Sequence, residues 1–346
     1  MSHVDVETPA PVVDLDRLER NLARWQERCT ELGVDCRPHV KTHKCVEIAR
    51  RQLELGATGL TCQTIGEAET MAAAGFDDLL LPTNVLADHK LARLARLLER
   101  AAVSVAVDDV QVLAGLAQAA ARAGRPLRVL VECDTGHGRM GVASPREAAD
   151  LADAIDRADP LEFAGFLTYP FPAGALELLE QAVDEAAARG IETRTVSVGG
   201  TPAMWTVARH SAVTEYRAGT YAFHDRATVA AGAATLEDVA LTVCATVVSR
   251  PTRGRAILDA GSKSLSSDRS AADGFGLVLD APQSTIVKLD EEHGYLELAA
   301  GDDVRLGQQV RIVPNHACVV SNLFPELVLT RGGELAGRWA VDARGR

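Results

Sequence analysis

The sequence predicts an α/β fold, a (β/α)8 TIM-type barrel followed by an antiparallel β domain, and three features carry that prediction. From about residue 34 to 220, short apolar runs alternate with alanine-rich helical stretches, the pattern of a parallel sheet whose strands are joined by crossover helices. Eight such runs can be counted, the number that closes a barrel. After about residue 230 the texture changes to alternating, β-branched runs broken by turn residues, as in antiparallel hairpins.

The eight strand candidates are Asp35–His39, Gly59–Gln63, Asp78–Pro82, Val103–Val107, Leu127–Cys133, Phe163–Thr168, Thr195–Gly199 and Thr214–Ala218. Between them the spacing predicts helices over Cys45–Leu55, Gly66–Ala74, Ala87–Arg100, Val110–Ala123, Pro145–Arg157, Ala173–Arg189 and Pro202–His210. Ser144-Pro145 and Thr201-Pro202 each put a hydroxyl N-cap before a proline at the first helical position. Gly56 and Gly190 close their helices in the manner of a C′ residue.

In the later part, strands are expected at Val239–Ser249, Arg255–Ala260, Ser284–Asp290, Gly294–Ala299 and Gln309–Pro314, with turns at Thr-Arg-Gly, Glu-His-Gly and Arg-Gly-Gly. The strand-like Ala10–Val13 precedes the first amphipathic helix and has no place in the barrel, so it is assigned to the β domain. The resulting partition is a barrel over 14–230 and a β domain made of 1–13 and 231–346.

The bulk composition excludes several functions. With 346 residues, 47% apolar and 24% charged, the chain reads as a folding globular protein of about two domains. A net charge of −12 argues against nucleic acid as a partner, because phosphate-backbone affinity comes from clustered Lys and Arg. No apolar run approaches the ~18 residues of a membrane span, and the start MSHVDVETPAPVVDLD lacks a basic segment followed by an apolar one. A cytoplasmic protein with no membrane partner is the expectation. Seven dispersed cysteines without a CxxC pair read as reduced thiols, most of them core residues.

The densest chemical cluster is Arg37-Pro38-His39-Val40-Lys41-Thr42-His43-Lys44, at the end of the first barrel strand. Barrel enzymes build their sites at the carboxyl ends of strands. A desolvated lysine there can lose its proton and form a Schiff base with an aldehyde; the same segment also fits a solvated basic loop. Gly199-Gly200-Thr201-Pro202 follows the seventh strand and Gly219-Thr220 the eighth. Each glycine alone fits turn punctuation, but together they stand where barrels hold a phosphate group. Gln63, Arg139 and Tyr169 come from the ends of strands two, five and six; Arg139 could donate to the phenolate oxygen of a pyridine ring, and Tyr169 could stack or hydrogen-bond.

In the β domain, His316 and Cys318 are two apart. On an extended strand they project from one face and can reach one cation, with nitrogen plus sulfur favouring zinc. A buried structural pair has the same spacing.

These segments together resemble the D-serine dehydratase and D-threonine aldolase family of alanine-racemase-like, fold-type-III pyridoxal-phosphate enzymes. The resemblance runs from Thr8-Pro9-Ala10-Pro11-Val12-Val13-Asp14-Leu15-Asp16 to the Pro314–Cys318 segment. Its markers are residues 37–44, Asp-Thr-Gly-His-Gly-Arg-Met-Gly-Val at 134–142, Arg-Ala-Gly-Thr-Tyr-Ala-Phe-His-Asp at 217–225, and the His-x-Cys pair. It implies that Lys41 carries pyridoxal 5′-phosphate, that Gly200, Thr201, Gly219 and Thr220 hold the phosphate, and that Arg139 and Tyr169 lie beside the ring; Gln63 remains a cofactor-facing candidate from its place at a strand end alone. It also implies that His316 and Cys318 bind a divalent metal, zinc first with manganese or magnesium as alternatives, beside a small D-amino-acid substrate. A homodimer is the family expectation.

The implied activity is a lyase acting on a D-3-hydroxy amino acid. The His-x-Cys pair, followed by Val-Val-Ser, looks more like the dehydratases, which release a 2-oxo acid and ammonia. The aldolase alternative, retro-aldol cleavage to glycine and an aldehyde, often carries His-x-Asp. The prolines of Thr168-Tyr169-Pro170-Phe171-Pro172 rigidify a loop near the expected substrate site. More distant alternatives are an amino-acid racemase, which needs a second acid/base but no metal, and a non-catalytic cofactor carrier, which needs neither the β domain nor the His-x-Cys pair.

Overall fold

A computed structural model describes residues 6–209, 212–269 and 273–345. They fall into two compact units. One takes Gln26–Lys41 and Ile48–Gly219; the other takes the chain up to Trp25, Thr42–Glu47 and Thr220–Arg344. The division differs from one drawn at residues 14 and 230, since the start of the first helix and the short Thr42–Glu47 stretch go with the β-rich unit.

The chain opens with β1 (Ala10–Asp14) and α1 (Leu15–Leu32). The barrel unit is then built from β2 (Asp35–Cys36), β3 (Leu60–Thr61), β4 (Asp78–Leu81), β5 (Ala102–Val107), β6 (Leu127–Glu132), β7 (Leu161–Leu167), β8 (Thr195–Gly199) and β9 (Glu215–Arg217). All eight expected strands are present, and every neighbouring pair in the order β2-β9-β8-β7-β6-β5-β4-β3 is parallel.

The two ends of that order meet through a seam that the sequence explains. On the β9 side, Asp35, Arg37 and His39 donate their N–H groups to Thr214, Tyr216 and Ala218. On the β3 side the donor would be Pro38, which has none. Pairing there is carried by Thr58 N to Cys36 O (2.9 Å), Thr61 N to Pro38 O (2.8 Å) and the His39–Thr61 bridge. The sheet therefore comes round on itself with its loosest join beside the lysine-bearing loop.

Helices α2 (Val46–Glu54), α3 (Ile65–Ala73), α4 (Asp88–Leu98), α5 (Leu113–Ala123), α6 (Pro145–Asp156) and α7 (Ala175–Ala187) lie at the expected places. Ser144 caps α6 by accepting from Glu147 N, with Pro145 next. The expected helix Pro202–His210 is a correction: only a 3-10 turn at Thr201–Ala203 forms, and His210 lies outside the described residues. Thr206 and Val207, β-branched and poor helix formers, follow the proline start too closely for it to propagate.

The barrel interior mixes apolar and ionic layers. Leu80, Ala106, Leu130 and Leu167 form a dry layer. Near the amino ends of the strands, Arg37 Nε pairs with Glu215 at 2.5 Å and its Nη1 with Asp78 at 3.0 Å, while Arg128 reaches Asp78 at 2.8 Å. Glu215 also accepts from Ser197 Oγ, and Arg217 donates to Ser197 Oγ and to Thr168 O. These buried charges are tolerated because each has partners.

The second unit holds β10 (Leu241–Thr252), β11 (Arg255–Leu258), β12 (Leu277–Val278), β13 (Thr285–Leu289), β14 (Gly294–Glu297), β15 (Gln309–Val313), β16 (Glu326–Arg331) and β17 (Glu334–Ala340), with short helices α8 (Arg226–Ala230), α9 (Ser262–Leu265) and α10 (Ala317–Leu323). β1 enters this sheet as expected, antiparallel to β10 (Ala10 opposite Cys244) and parallel to β16 (Val12 opposite Val328). The β16–β17 hairpin turns at the expected Arg-Gly-Gly. Six cysteines are buried and Cys318 is half-buried. No helix among the described residues is long and apolar enough to cross a membrane.

Candidate active site

In the barrel unit, side chains from two strand ends, after β2 and after β6, converge on the ring of Tyr169, which follows β7. Lys41 sits in the 3-10 turn Val40–Thr42, half-buried, with its backbone N–H directed at His39 Nδ1 (3.4 Å). Its Nζ lies 5.5 Å from the centre of the Tyr169 ring, and the Arg139 guanidinium lies 5.0 Å from the same centre. His137 packs edge-on against that ring at 5.9 Å. The other lysines are placed differently. Lys263 and Lys288 pair with Glu292 and Asp290, Lys90 is exposed on α4, and Lys44 donates to Ala343 O at 3.4 Å.

The loop carrying Arg139 is tied down by its own residues. Asp134 Oδ1 accepts from the N–H groups of Gly136, His137 and Gly138 at 2.8–3.1 Å, and these bonds hold its carboxyl below the usual range despite the opposing effect of burial. Gly141, with φ of +108°, brings the chain back so closely that a Cβ there would sit 2.4 Å from Asp134 N. Only glycine fits.

Below Arg139 lies Glu132, the last residue of β6. Its side chain is 3% exposed, Oε1 stands 3.8 Å from Arg139 Nη2, and buried Oε2 has no hydrogen-bond partner among the described residues. Burial pushes its carboxyl up to about 6, against the pull of Arg217 and Arg139.

Gly200 has φ of +118° and lies against the ring, since a Cβ there would be 3.3 Å from Tyr169 Cε2. Its N–H is already committed to Arg217 O (3.1 Å), and its carbonyl accepts from the buried Tyr216 hydroxyl (2.8 Å). Gly200 therefore offers close approach, and Gly219 and Thr220 stand at the start of the 3-10 turn Thr220–Ala222. Gln63 follows β3, with its backbone N–H held at 2.5 Å by Glu67.

In the other unit, His316 and Cys318 are arranged by a helix rather than a strand. β15 stops at Val313 because Pro314 cannot donate, and α10 starts at Ala317 with His316 as its N-cap. The strand expectation for this pair is thus corrected. Proximity survives for another reason, since an N-cap and the second helical residue share one turn. The His316–Cys318 hydrogen bond raises the imidazole's affinity for its proton. Burial alone would raise the Cys318 thiol, but that bond and the imidazole charge outweigh it and leave the thiol below its usual range. The Thr42 and Thr220 hydroxyls stand 3.2 and 3.6 Å from Cys318 Sγ.

No group of three or more His, Cys, Asp or Glu side chains among the described residues could hold a metal. The pair is a two-donor set, an imidazole nitrogen and a thiol sulfur, of the kind zinc takes, and a cation there would have coordination positions left for water or substrate.

Glu132, His137 and Asp225, which caps α8, were not singled out from the sequence. The Asp225-x-x-Thr228 spacing is a legible capping signal; a lone glutamate ending an apolar strand and a histidine in a glycine-rich loop give none.

A parallel eight-stranded barrel presenting a lysine just past its first strand, in a chain that also carries an antiparallel β unit, defines an alanine-racemase-like protein. The family model described as alanine racemase, N-terminal domain, matches residues 13–227, and that of a serine dehydratase domain matches 240–330. The chain belongs to this alanine-racemase-like family, in the branch with a D-serine dehydratase type of second domain. It is 36% identical to D-threonine aldolase of an Arthrobacter species, over 98% of this chain and 93% of that protein. The solved structure of D-threonine aldolase from Filomicrobium marinum superposes with a TM-score of 0.91 at 34% identity, covering 98% of this chain and 96% of the other. A cysteine-to-alanine mutant of D-threo-3-hydroxyaspartate dehydratase, solved in its metal-free form, superposes with a TM-score of 0.87 at 35% identity over 97% of both chains.

Proposed function

We propose that this chain is a pyridoxal-phosphate-dependent lyase for a small D-3-hydroxy amino acid, with Lys41 as the cofactor-bearing lysine and His316 and Cys318 as ligands of a divalent metal, zinc. The observation that carries the reading is the convergence of the Lys41 amine and the Arg139 guanidinium on one Tyr169 ring. A planar, anionic aldehyde cofactor needs those three things: an amine to attach to, a cation for its phenolate oxygen and an aromatic neighbour. Bound there, pyridoxal phosphate supplies an electron sink for charge developing at Cα.

The protein's own groups do the rest. Thr201, Gly219 and Thr220 hold the phosphate, and Gly200 lets it come close to the backbone. Arg139, paired with Glu132, donates to the phenolic oxygen. Tyr169 and Gln63 fix the ring's position. Lys41 Nζ, once replaced by the substrate amine, is the base that takes the Cα proton. His316 and Cys318 would hold the metal, which would supply Lewis acidity for the substrate 3-hydroxyl.

Loss of the Cα proton and departure of the 3-hydroxyl as water would leave an enamine, which water hydrolyses to a 2-oxo acid and ammonia, and we assign this dehydratase outcome on the sulfur ligand, Cys318. The alternative is the retro-aldol outcome, glycine plus an aldehyde; overall identity weighs equally for both, at 36% to a D-threonine aldolase and 36% to a D-threo-3-hydroxyaspartate dehydratase. Purified protein loaded with cofactor and zinc or manganese is incubated with D-serine, D-threonine and D-threo-3-hydroxyaspartate, with ammonia plus 2-oxo acid and glycine plus aldehyde assayed separately. A chelator-sensitive 2-oxo acid is expected. Aldehyde and glycine would transfer the assignment to an aldolase, and turnover insensitive to chelation, without either product pair, would indicate a racemase.

A further inference from the structure

The segment that carries His316 and Cys318 is held by the start of α8, and one carboxylate makes the decisive link. Asp225 is fully buried; its Oδ1 accepts from Thr228 N (2.8 Å), capping its own helix, while Oδ2 accepts from Ala317 N (3.0 Å), the residue between the two proposed ligands. Around it, Arg226 N donates to Pro314 O (3.1 Å), Ala227 N to Asn315 O (3.3 Å), and Arg226 Nη1 to Asn315 Oδ1 (2.8 Å). His316, though at the N-cap position of α10, makes no capping hydrogen bond from its side chain. Asp225 thus satisfies the N–H of Ala317, the first residue of α10 and one of the donors that a helix start leaves without an intrahelical partner, and the imidazole takes no part in the cap.

We propose that Asp225 is the positioning residue of the metal site: by accepting from Ala317 N it fixes the first turn of α10, and with it the spacing of His316 and Cys318. The inference rests on the metal reading above. A ligand pair held by hydrogen bonds is preorganised, and loss of such outer support typically costs ~10–100-fold in metal affinity. The Asp225–Ala317 bond is the only one in this set that lands between the two ligands.

Serine at position 225 separates the two tasks of the carboxylate. Its single oxygen still caps α8 through Thr228 N but is too short to serve Ala317 N as well. The opposite perturbation is Thr228→Val, which removes the hydroxyl that accepts from Asp225 N (2.9 Å) and leaves the Ala317 contact intact. Zinc affinity and the thiolate-to-cobalt absorption band are measured on wild type, Asp225→Ser, Thr228→Val and Cys318→Ala, with thermal unfolding recorded for each.

The expected result is tight binding and a charge-transfer band in wild type, loss of both in Cys318→Ala, at least tenfold weaker binding in a folded Asp225→Ser protein, and wild-type affinity in Thr228→Val. Wild-type affinity in Asp225→Ser overturns the role of Asp225 while leaving the metal reading in place. Equal losses in Asp225→Ser and Thr228→Val overturn it too, since general loosening of α8 would then suffice. No band in wild type overturns the metal reading itself, and this inference with it.

Discussion

Replacing Glu132 with glutamine removes a charge that burial makes unfavourable, and the pH dependence of the effect follows from the structure. The Glu132 carboxyl, 3% exposed with Oε2 unpartnered, holds its proton up to about 6 in the folded protein. In the unfolded chain it releases that proton near the ordinary glutamate value of 4.5. Between those two values the folded state binds more protons, so stability falls as pH rises. Above about 6 the deficit is constant, and at about 1.36 kcal/mol per pKa unit over about 1.5 units it amounts to roughly 2 kcal/mol. Glutamine keeps the shape of the protonated acid and carries no charge. Urea unfolding of the cofactor-free protein, wild type against Glu132→Gln, is therefore expected to give equal stabilities near pH 4.5 and a gain of roughly 2 kcal/mol for glutamine near pH 7.5. A glutamine variant less stable than wild type across the whole range would refute the reasoning, because pairing with Arg139 and Arg217 would then outweigh the cost of burial.

Other perturbations have equally definite outcomes. Arg37→Ala leaves Glu215 and Asp78 without their shared partner in the barrel interior and is expected to cost ~3–5 kcal/mol by urea unfolding, the usual result of removing one member of a buried ion pair. Gly141→Ala forces a Cβ to 2.4 Å from Asp134 N at a φ of +108°; the Arg139 loop must shift, at a cost of ~1–3 kcal/mol, and cofactor affinity followed by absorbance titration is expected to weaken about tenfold or more. Cys318→Ala leaves His316 as a lone donor, so the metal content of the purified protein is expected to fall below stoichiometric and the lyase rate with it, measured by elemental analysis beside the product assay.

Much of this was legible in the sequence because the barrel writes its period in plain form. All eight strands and the caps at Ser144, Gly56 and Gly190 follow from local residue chemistry, and counting strands places the lysine loop. What failed depended on tertiary partners. Whether Thr201-Pro202 opens a helix or a single turn is decided by residues downstream of a good start signal. The His316–Cys318 segment reads as the end of a strand until Asp225, some ninety positions earlier, provides the acceptor that lets a helix begin at Ala317. Gly200 was singled out as a phosphate contact, yet its N–H is used by Arg217 O, a pairing between strand ends that no local pattern displays. Glu132 gave no signal because an acid at the end of an apolar run reads as a strand terminus; only the folded barrel shows it closed in beneath Arg139.

The central claim is that Lys41 carries the cofactor, and the sequence offers five lysines to choose from. The direct measurement is borohydride reduction of the cofactor-loaded protein, proteolysis and mass spectrometry of the peptides. The account predicts a pyridoxyl group on Lys41, with Lys44, Lys90, Lys263 and Lys288 unmodified; a label on any of those four, or on no lysine at all, would contradict it.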